Sequence, residues 1–189
     1  MAQLCLRGEY CMKENKEVTL LSLDTSSTKT GWAVFKNGKY KESGVLDWSH
    51  IKETEDRLQI MYIDIIQHIQ KYEPDILVVE KDIVGSGKRQ NMSTINTLVK
   101  LIGGIWAYCV QLNMDTPMNL PAGEFIIFYK EYSPSEWRSL VGITARKRDD
   151  CKTASIKRIK NIYNLNVDDN EADAINIGDA YINEWGNEE

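Results

Sequence analysis

The chain has 189 residues, 42% hydrophobic and 27% charged, with a formal net charge of −5. That is enough chain to bury a sizeable core in one domain, and the composition is ordinary for a soluble globular protein. No uninterrupted apolar run reaches the roughly 18–20 residues of a membrane span, and the N-terminus lacks the apolar core of a signal peptide, so no membrane partner is expected.

The four cysteines, Cys5, Cys11, Cys109 and Cys151, form no CxxC pair and lie away from His50 and His68. This argues against a zinc site or a disulfide scaffold and points to a reducing, cytoplasmic compartment. Residues 1–16 read as a polar, disordered leader and 17–189 as one domain.

Taken in chain order, "VTLLSLD" (18–24) is a continuous apolar run of strand length. "GWAVFKNGKYKESGVLDW" (31–48) reads as two strands joined at Asn37-Gly38, a strong hairpin signal. Leu58, Met61, Ile65 and Ile69, widened by Tyr62 and Ile66, recur at helical spacing over residues 53–72, and Pro74 ends that helix. "DILVVE" (75–80) is a second buried strand, followed by the basic, glycine-bearing loop "KDIVGSGKRQN".

A helix over residues 93–112 is expected to turn Leu98, Leu101, Ile102, Ile105 and Trp106 inward, with Gly103-Gly104 allowing close packing. "EFIIFYK" (124–130) is the third buried strand. "SPSEWRSLVGI" opens as a capped helix start, "DDCKTASIKRIKNIYN" as a basic helix, and "DDNEADAINIGDAYINEW" as a last helix with acids in its first turn. The order, written β-β-β-α-β-α-β-α-α, predicts a mixed α/β layered domain.

Charge is unevenly distributed. Eight acidic and no basic residues lie between Asn164 and Glu189, whereas Glu136 to Tyr163 holds eight Lys/Arg against three Asp/Glu. Such a pattern describes either two solvated helix faces or a basic surface beside an acidic site.

Three carboxylates stand at the ends or in the midst of apolar elements. "LLSLD" ends in Asp24 and "ILVVE" in Glu80, while Asp173 sits among apolar residues in "NEADAINIG". Each alone reads as a cap, an ion pair or a solvated residue; Lys81 and Lys88 are available partners for Glu80. If the two strands are parallel neighbours, their ends lie about 4.8 Å apart, at the edge where α/β sheets form sites. Converging acids repel unless cations hold them, and oxygen-only ligands suit Mg²⁺ or Mn²⁺. Two such ions clamp the attacking and leaving oxygens of a phosphodiester.

"LLSLDTSSTKTGWAVF", "PDILVVEK" and "NEADAINIG", in this order and spacing, resemble Holliday-junction resolvases of the RuvC type, in the RNase H-like and retroviral-integrase superfamily, with the phage and Gram-positive branch most similar. The likeness covers residues 18 to about 185. It implies an RNase H-like fold with a five-stranded mixed sheet flanked by helices. It also implies a homodimer in a bacterial or phage-infected cell, and paired, symmetric nicking of four-way or other branched DNA with two Mg²⁺ ions, for which Mn²⁺ substitutes.

By the resemblance, Asp24, Glu80 and Asp173 are catalytic metal ligands. The family's further acid or histidine, three residues before the last acid, is replaced by Asn170; its amide oxygen, or Glu171 or Asp169, is the candidate fourth ligand. Some members carry an aromatic wedge three residues after the second acid; here Ile83 stands there, as wedge candidate or loop anchor. Lys88, Arg89, Arg138, Arg146, Lys147, Arg148 and Lys152, with Lys157 and Arg158, are the expected DNA-phosphate contacts. Lys147 and Lys152 are also candidates to steady transition-state charge. Two other readings stay open: another RNase H-like nuclease acting on branched DNA or structured RNA, and a non-catalytic actin-like or RNase H-like scaffold, for which Glu80 and Asp173 have no use.

Overall fold

A computed structural model describes residues 17–81, 92–114 and 127–185. The leader, Ile83, Lys88 and Arg89 lie outside the described residues. The elements are β1 (Thr19–Thr25), β2 (Lys29–Lys36), β3 (Lys39–Asp47), α1 (Thr54–Tyr72), β4 (Ile76–Glu80), α2 (Met92–Met114), β5 (Phe128–Tyr132), α3 (Pro134–Leu140), α4 (Arg148–Tyr163) and α5 (Asp169–Trp185). They form a five-stranded sheet in the order β3-β2-β1-β4-β5. β1 pairs antiparallel with β2 and β2 with β3, whereas β1–β4 and β4–β5 are parallel.

Both faces of the sheet are covered, which is why β1 and β4 read as unbroken apolar runs. Leu21, Leu23, Leu77 and Val79 face a core made with Met61, Ile65 and Ile69 of α1 and Leu101, Ile105 and Cys109 of α2. Leu20, Ala33, Phe35, Ile76 and Val78 face Trp137 of α3, Ile159 of α4 and Ala174, Ile175 and Ile177 of α5. The period-two alternation of strands therefore sends Asp24 and Glu80, in step with Leu20 and Ile76, to the α5 face. Ser22, between Leu20 and Asp24, confirms the parity: its hydroxyl donates to the Ala174 carbonyl of α5 at 2.7 Å.

Four details differ from the sequence reading. The strand expected over 124–130 runs Phe128–Tyr132, because register with β4 pairs Phe128 with Ile76 and Tyr132 with Glu80. Three helices, not two, follow β5; the Ser133-Pro134 start makes a separate short helix with a complete capping box between Ser133 and Glu136. Trp106 is 53% exposed rather than inward, since the α2 face that meets the sheet is set by Leu98, Leu101, Ile102, Ile105 and Cys109. Finally, Thr94–Met114 is long and apolar enough to cross a membrane by length and composition, with a third of it buried. Isolated polar residues such as Asn96, Thr97 and Lys100 interrupt the run in sequence without making the helix polar overall.

Gly104 makes the close α1–α2 contact expected of the glycine pair: a Cβ there would sit 3.0 Å from the Tyr62 ring. Gly103 faces open space. Gly31 does something else. It lies within β2, opposite Asp24, and not at the turn. A Cβ there would fall 2.0 Å from the Asn170 carbonyl oxygen. Its bareness lets the first turn of α5 rest directly on the sheet. The turn between β1 and β2 is closed by Ser26, whose hydroxyl accepts from the Lys29 N–H at 3.0 Å and donates to the Lys29 carbonyl at 2.9 Å.

Candidate functional site

At the C-terminal ends of β1 and β4, where α5 crosses them, lies a cleft of about 540 Å³ lined by Asp24, Glu80, Asp169, Asn170 and Asp173, with Arg138, Arg148 and Lys152. Parallel pairing of β1 with β4 in the register Leu23–Val79 brings Asp24 and Glu80 side by side. The contact at Gly31 lowers α5 onto β2 and brings Asp173 over them. Thr25, Ser26 and Ser27, at and just after the end of β1, also line the cleft, as do Thr94, Ile95 and Leu98 of α2.

The electrostatics are those of crowded acids. Loss of water, and then repulsion from Glu80, Asp173 and Asp169, pushes the Asp24 carboxyl well above the usual carboxylate range; Arg138 opposes this only in part. Asp173 is pushed up to about 6, chiefly by burial, against the Ser155 hydrogen bond and the Arg138 charge. Asp169 goes the other way, held low by its ion pair with Lys152.

Protein donors already orient these acids. The indole Nε1 of Trp137, a fully buried residue, donates to Glu80 Oε2 at 2.6 Å. Ser155 Oγ donates to Asp173 Oδ1. Among the described residues no three His, Cys, Asp or Glu side chains stand close enough to close round one ion. The donor set nevertheless suits a hard divalent cation: Asp24, Glu80, Asp169 and Asp173 offer carboxylate oxygens and Asn170 an amide oxygen, and the repulsion among the acids is what such an ion removes.

The sequence-derived residues separate in space. Asp24, Glu80, Asp173, Asn170 and Asp169 share the cleft. Glu171 does not line it; its carboxylate accepts from Ser43 of β3 at 2.6 Å. Of the basic residues, Arg138 lies inside the cleft with its guanidinium 4.8 Å from the Trp137 ring, and Arg148 and Lys152 also line it. Arg146, Lys147 and Lys157 are exposed. Arg158 is turned away: it pairs with Asp179 within the α4–α5 contact, its side chain only 18% exposed. Sequence reading missed Trp137, Ser155 and Asn176, because an apolar-looking Trp and two neutral residues in helices carry no charge pattern to follow.

No family model matches the chain, and no curated protein matches it by sequence. Solved structures do. The Thermus thermophilus RuvC in complex with a Holliday junction substrate superposes with a TM-score of 0.60 at 14% identity, covering 88% of this chain and 93% of that one. Ydc2, the yeast mitochondrial Holliday junction resolvase, gives 0.57 at 13% identity, covering 88% of this chain and 78% of that one. The fowlpox virus resolvase with its Holliday junction DNA gives 0.52 at 15% identity, covering 88% and 98%. The fold of this chain is therefore the RNase H-like fold of the RuvC-type resolvases, a mixed five-stranded sheet flanked by helices.

Proposed function

We propose that this protein is a divalent-metal-dependent endonuclease that resolves four-way DNA junctions by paired nicks. The observation that supports the reading is the convergence of Asp24, Glu80 and Asp173 in one cleft beside basic residues. A scaffold has no reason to hold desolvated, mutually repelling acids at the ends of inner strands, where they lower stability.

Asp24, Glu80 and Asp173, with Asn170 or Asp169, would hold two Mg²⁺ or Mn²⁺ ions. When bound, they would supply an activated water as nucleophile and offset charge on the scissile phosphate. The chain's own residues do the rest. Trp137 fixes the orientation of Glu80. Arg138 brings a positive charge to the acids' own cleft, where charge develops on a bound phosphate. Arg148, with the exposed Arg146 and Lys147 at the start of α4, forms the rim on which flanking phosphates rest. Recognition by phosphate position suits a partner defined by its branched shape.

Paired nicking needs two cleft copies. α2 leaves Met92, Val99, Trp106 and Met114 exposed along one side, spaced about seven residues apart, as in a helix seam that meets its own copy. We assign that seam to a homodimer.

The deciding experiment compares a synthetic four-way junction, the same arms as linear duplex, and a structured RNA, each with Mg²⁺ and with chelator. Symmetric nicks on opposing strands of the junction, lost with chelator, are expected. Cleavage of RNA alone would replace the resolvase reading with a ribonuclease, and no cleavage of any substrate would leave a binding module.

A further inference from the structure

The two helices that follow β5's short α3 meet along a row of polar side chains. On α4, Lys152, Ser155 and Arg158 recur every three residues and so share one face. On α5 the facing residues are Asp169, Asp173, Asn176 and Asp179. Lys152 pairs with Asp169, and Ser155 Oγ donates to Asp173 Oδ1. Asn176 Nδ2 donates to Ser155 Oγ at 2.6 Å and to the Ala172 carbonyl at 2.9 Å. Arg158 donates to Asn176 Oδ1 at 2.7 Å and to Asp179, which also accepts from the Tyr163 hydroxyl at 2.6 Å. Ser155 and Asn176 are wholly buried.

Every orientation in this chain of bonds is determined. Asp179 neutralises Arg158. Arg158 fixes which end of the Asn176 amide is the oxygen. The Asn176 NH₂ group then fills a lone pair of the Ser155 oxygen, so the single hydroxyl proton must go to Asp173. Buried ionic contacts that only join two elements are often replaceable by well-packed apolar residues without loss of stability. This one terminates on a carboxylate of the cleft.

We propose that Ser155, set by Asn176 and Arg158, is a positioning residue for Asp173. By engaging Oδ1, it fixes the carboxylate plane and leaves the other oxygen to the cation. The inference rests on the metal-dependent reading above. Partners that orient a metal's ligands typically cost 10–100-fold in metal affinity when removed.

The test is Mn²⁺ binding to the full chain without DNA, read from the electron paramagnetic resonance of free Mn²⁺, alongside thermal unfolding in chelator. Wild type is expected to bind and Asp24→Asn to fail. Ser155→Ala should bind at least about tenfold more weakly. Ser155→Thr, which keeps the hydroxyl, should restore affinity. Arg158→Gln, further from the cleft, should lose less, in the same direction, and stands in if Ser155→Ala does not fold.

Wild-type affinity in Ser155→Ala, with Asp24→Asn still dead, would overturn the positioning role and leave the metal site standing. So would equal loss in the Ala and Thr variants in step with their melting temperatures, since that marks a purely structural role. Absence of Mn²⁺ binding by wild type would remove the metal reading and this inference with it.

Discussion

At the residue scale, the site is defined by charge held where the fold alone would not keep it. Asp24 is desolvated and faces Glu80, Asp173 and Asp169. Asp24→Asn removes that repulsion while keeping the shape. In chelator the variant should therefore be more stable than wild type by ~1 kcal/mol, or about 2–4 °C in a chain of this length, as measured by calorimetry. Added Mg²⁺ should raise the melting temperature of wild type and leave the variant unchanged. The same variant should lose cleavage of the four-way junction yet bind it in a gel-shift assay, because the phosphate-contacting residues are untouched. A second prediction concerns Trp137, whose indole fixes Glu80 at 2.6 Å. Trp137→Phe keeps most of the buried ring but leaves Glu80 Oε2 without that donor. Cleavage should fall about 10–100-fold, with junction affinity unchanged, as read by single-turnover kinetics.

At the scale of elements, the decisive contact is α5 on β2. Gly31 has the Asn170 carbonyl where its Cβ would be, at 2.0 Å, and Gly178 has the Phe35 ring at 2.2 Å. A backbone carbonyl cannot rotate aside as a side chain can. Gly31→Ala must lift the first turn of α5, carrying Asp169, Asn170 and Asp173 away from Asp24. The expected cost is about 1–3 kcal/mol in denaturant unfolding, with cleavage lost well before the fold is. Wild-type activity in that variant would show that the cleft tolerates a displaced α5. The short α3 is held by its Ser133–Glu136 capping box, and it carries both Trp137 and Arg138 to the cleft. Its cap thus supports the site as well as the helix. Ser133→Ala should cost about 1 kcal/mol.

At the scale of the whole molecule, two surfaces matter. The α2 seam predicts a dimer in sedimentation equilibrium. Val99→Glu, at a position 58% exposed, should give monomers without loss of fold. Such monomers should nick junctions singly rather than in symmetric pairs. The basic start of α4 predicts salt-sensitive junction binding. Replacing Arg146 and Lys147 together by Ala should lower the slope of log affinity against log salt by about 2, one per phosphate contact. The overall charge of −5 does not oppose this, because the acids cluster towards the last helix while the basic residues gather before it.

How much of this was legible in the sequence follows from the range of each interaction. Local signals carried β1, the Asn37-Gly38 hairpin, α1, β4 and the capped start at Ser133, since propensity, period and turn chemistry are written in neighbouring residues. Asp24, Glu80 and Asp173 stood out because a charge at the end of an apolar run, or amid one, is conspicuous without any fold. Trp106 was misplaced because periodicity shows that a helix has an apolar face but not how wide that face is. Arg158 was misplaced among the phosphate contacts because a basic stretch does not show which charges point inward. Gly31 carries no local signal of its role; only α5, about 140 residues later in the chain, supplies it. The sequence by itself determined most of the elements and the three acids, all of them local properties. The convergence of those acids, the partners that orient them and the division of basic residues between cleft, rim and helix contact depend on which distant backbones come within a few ångströms, and only the tertiary structure decided that.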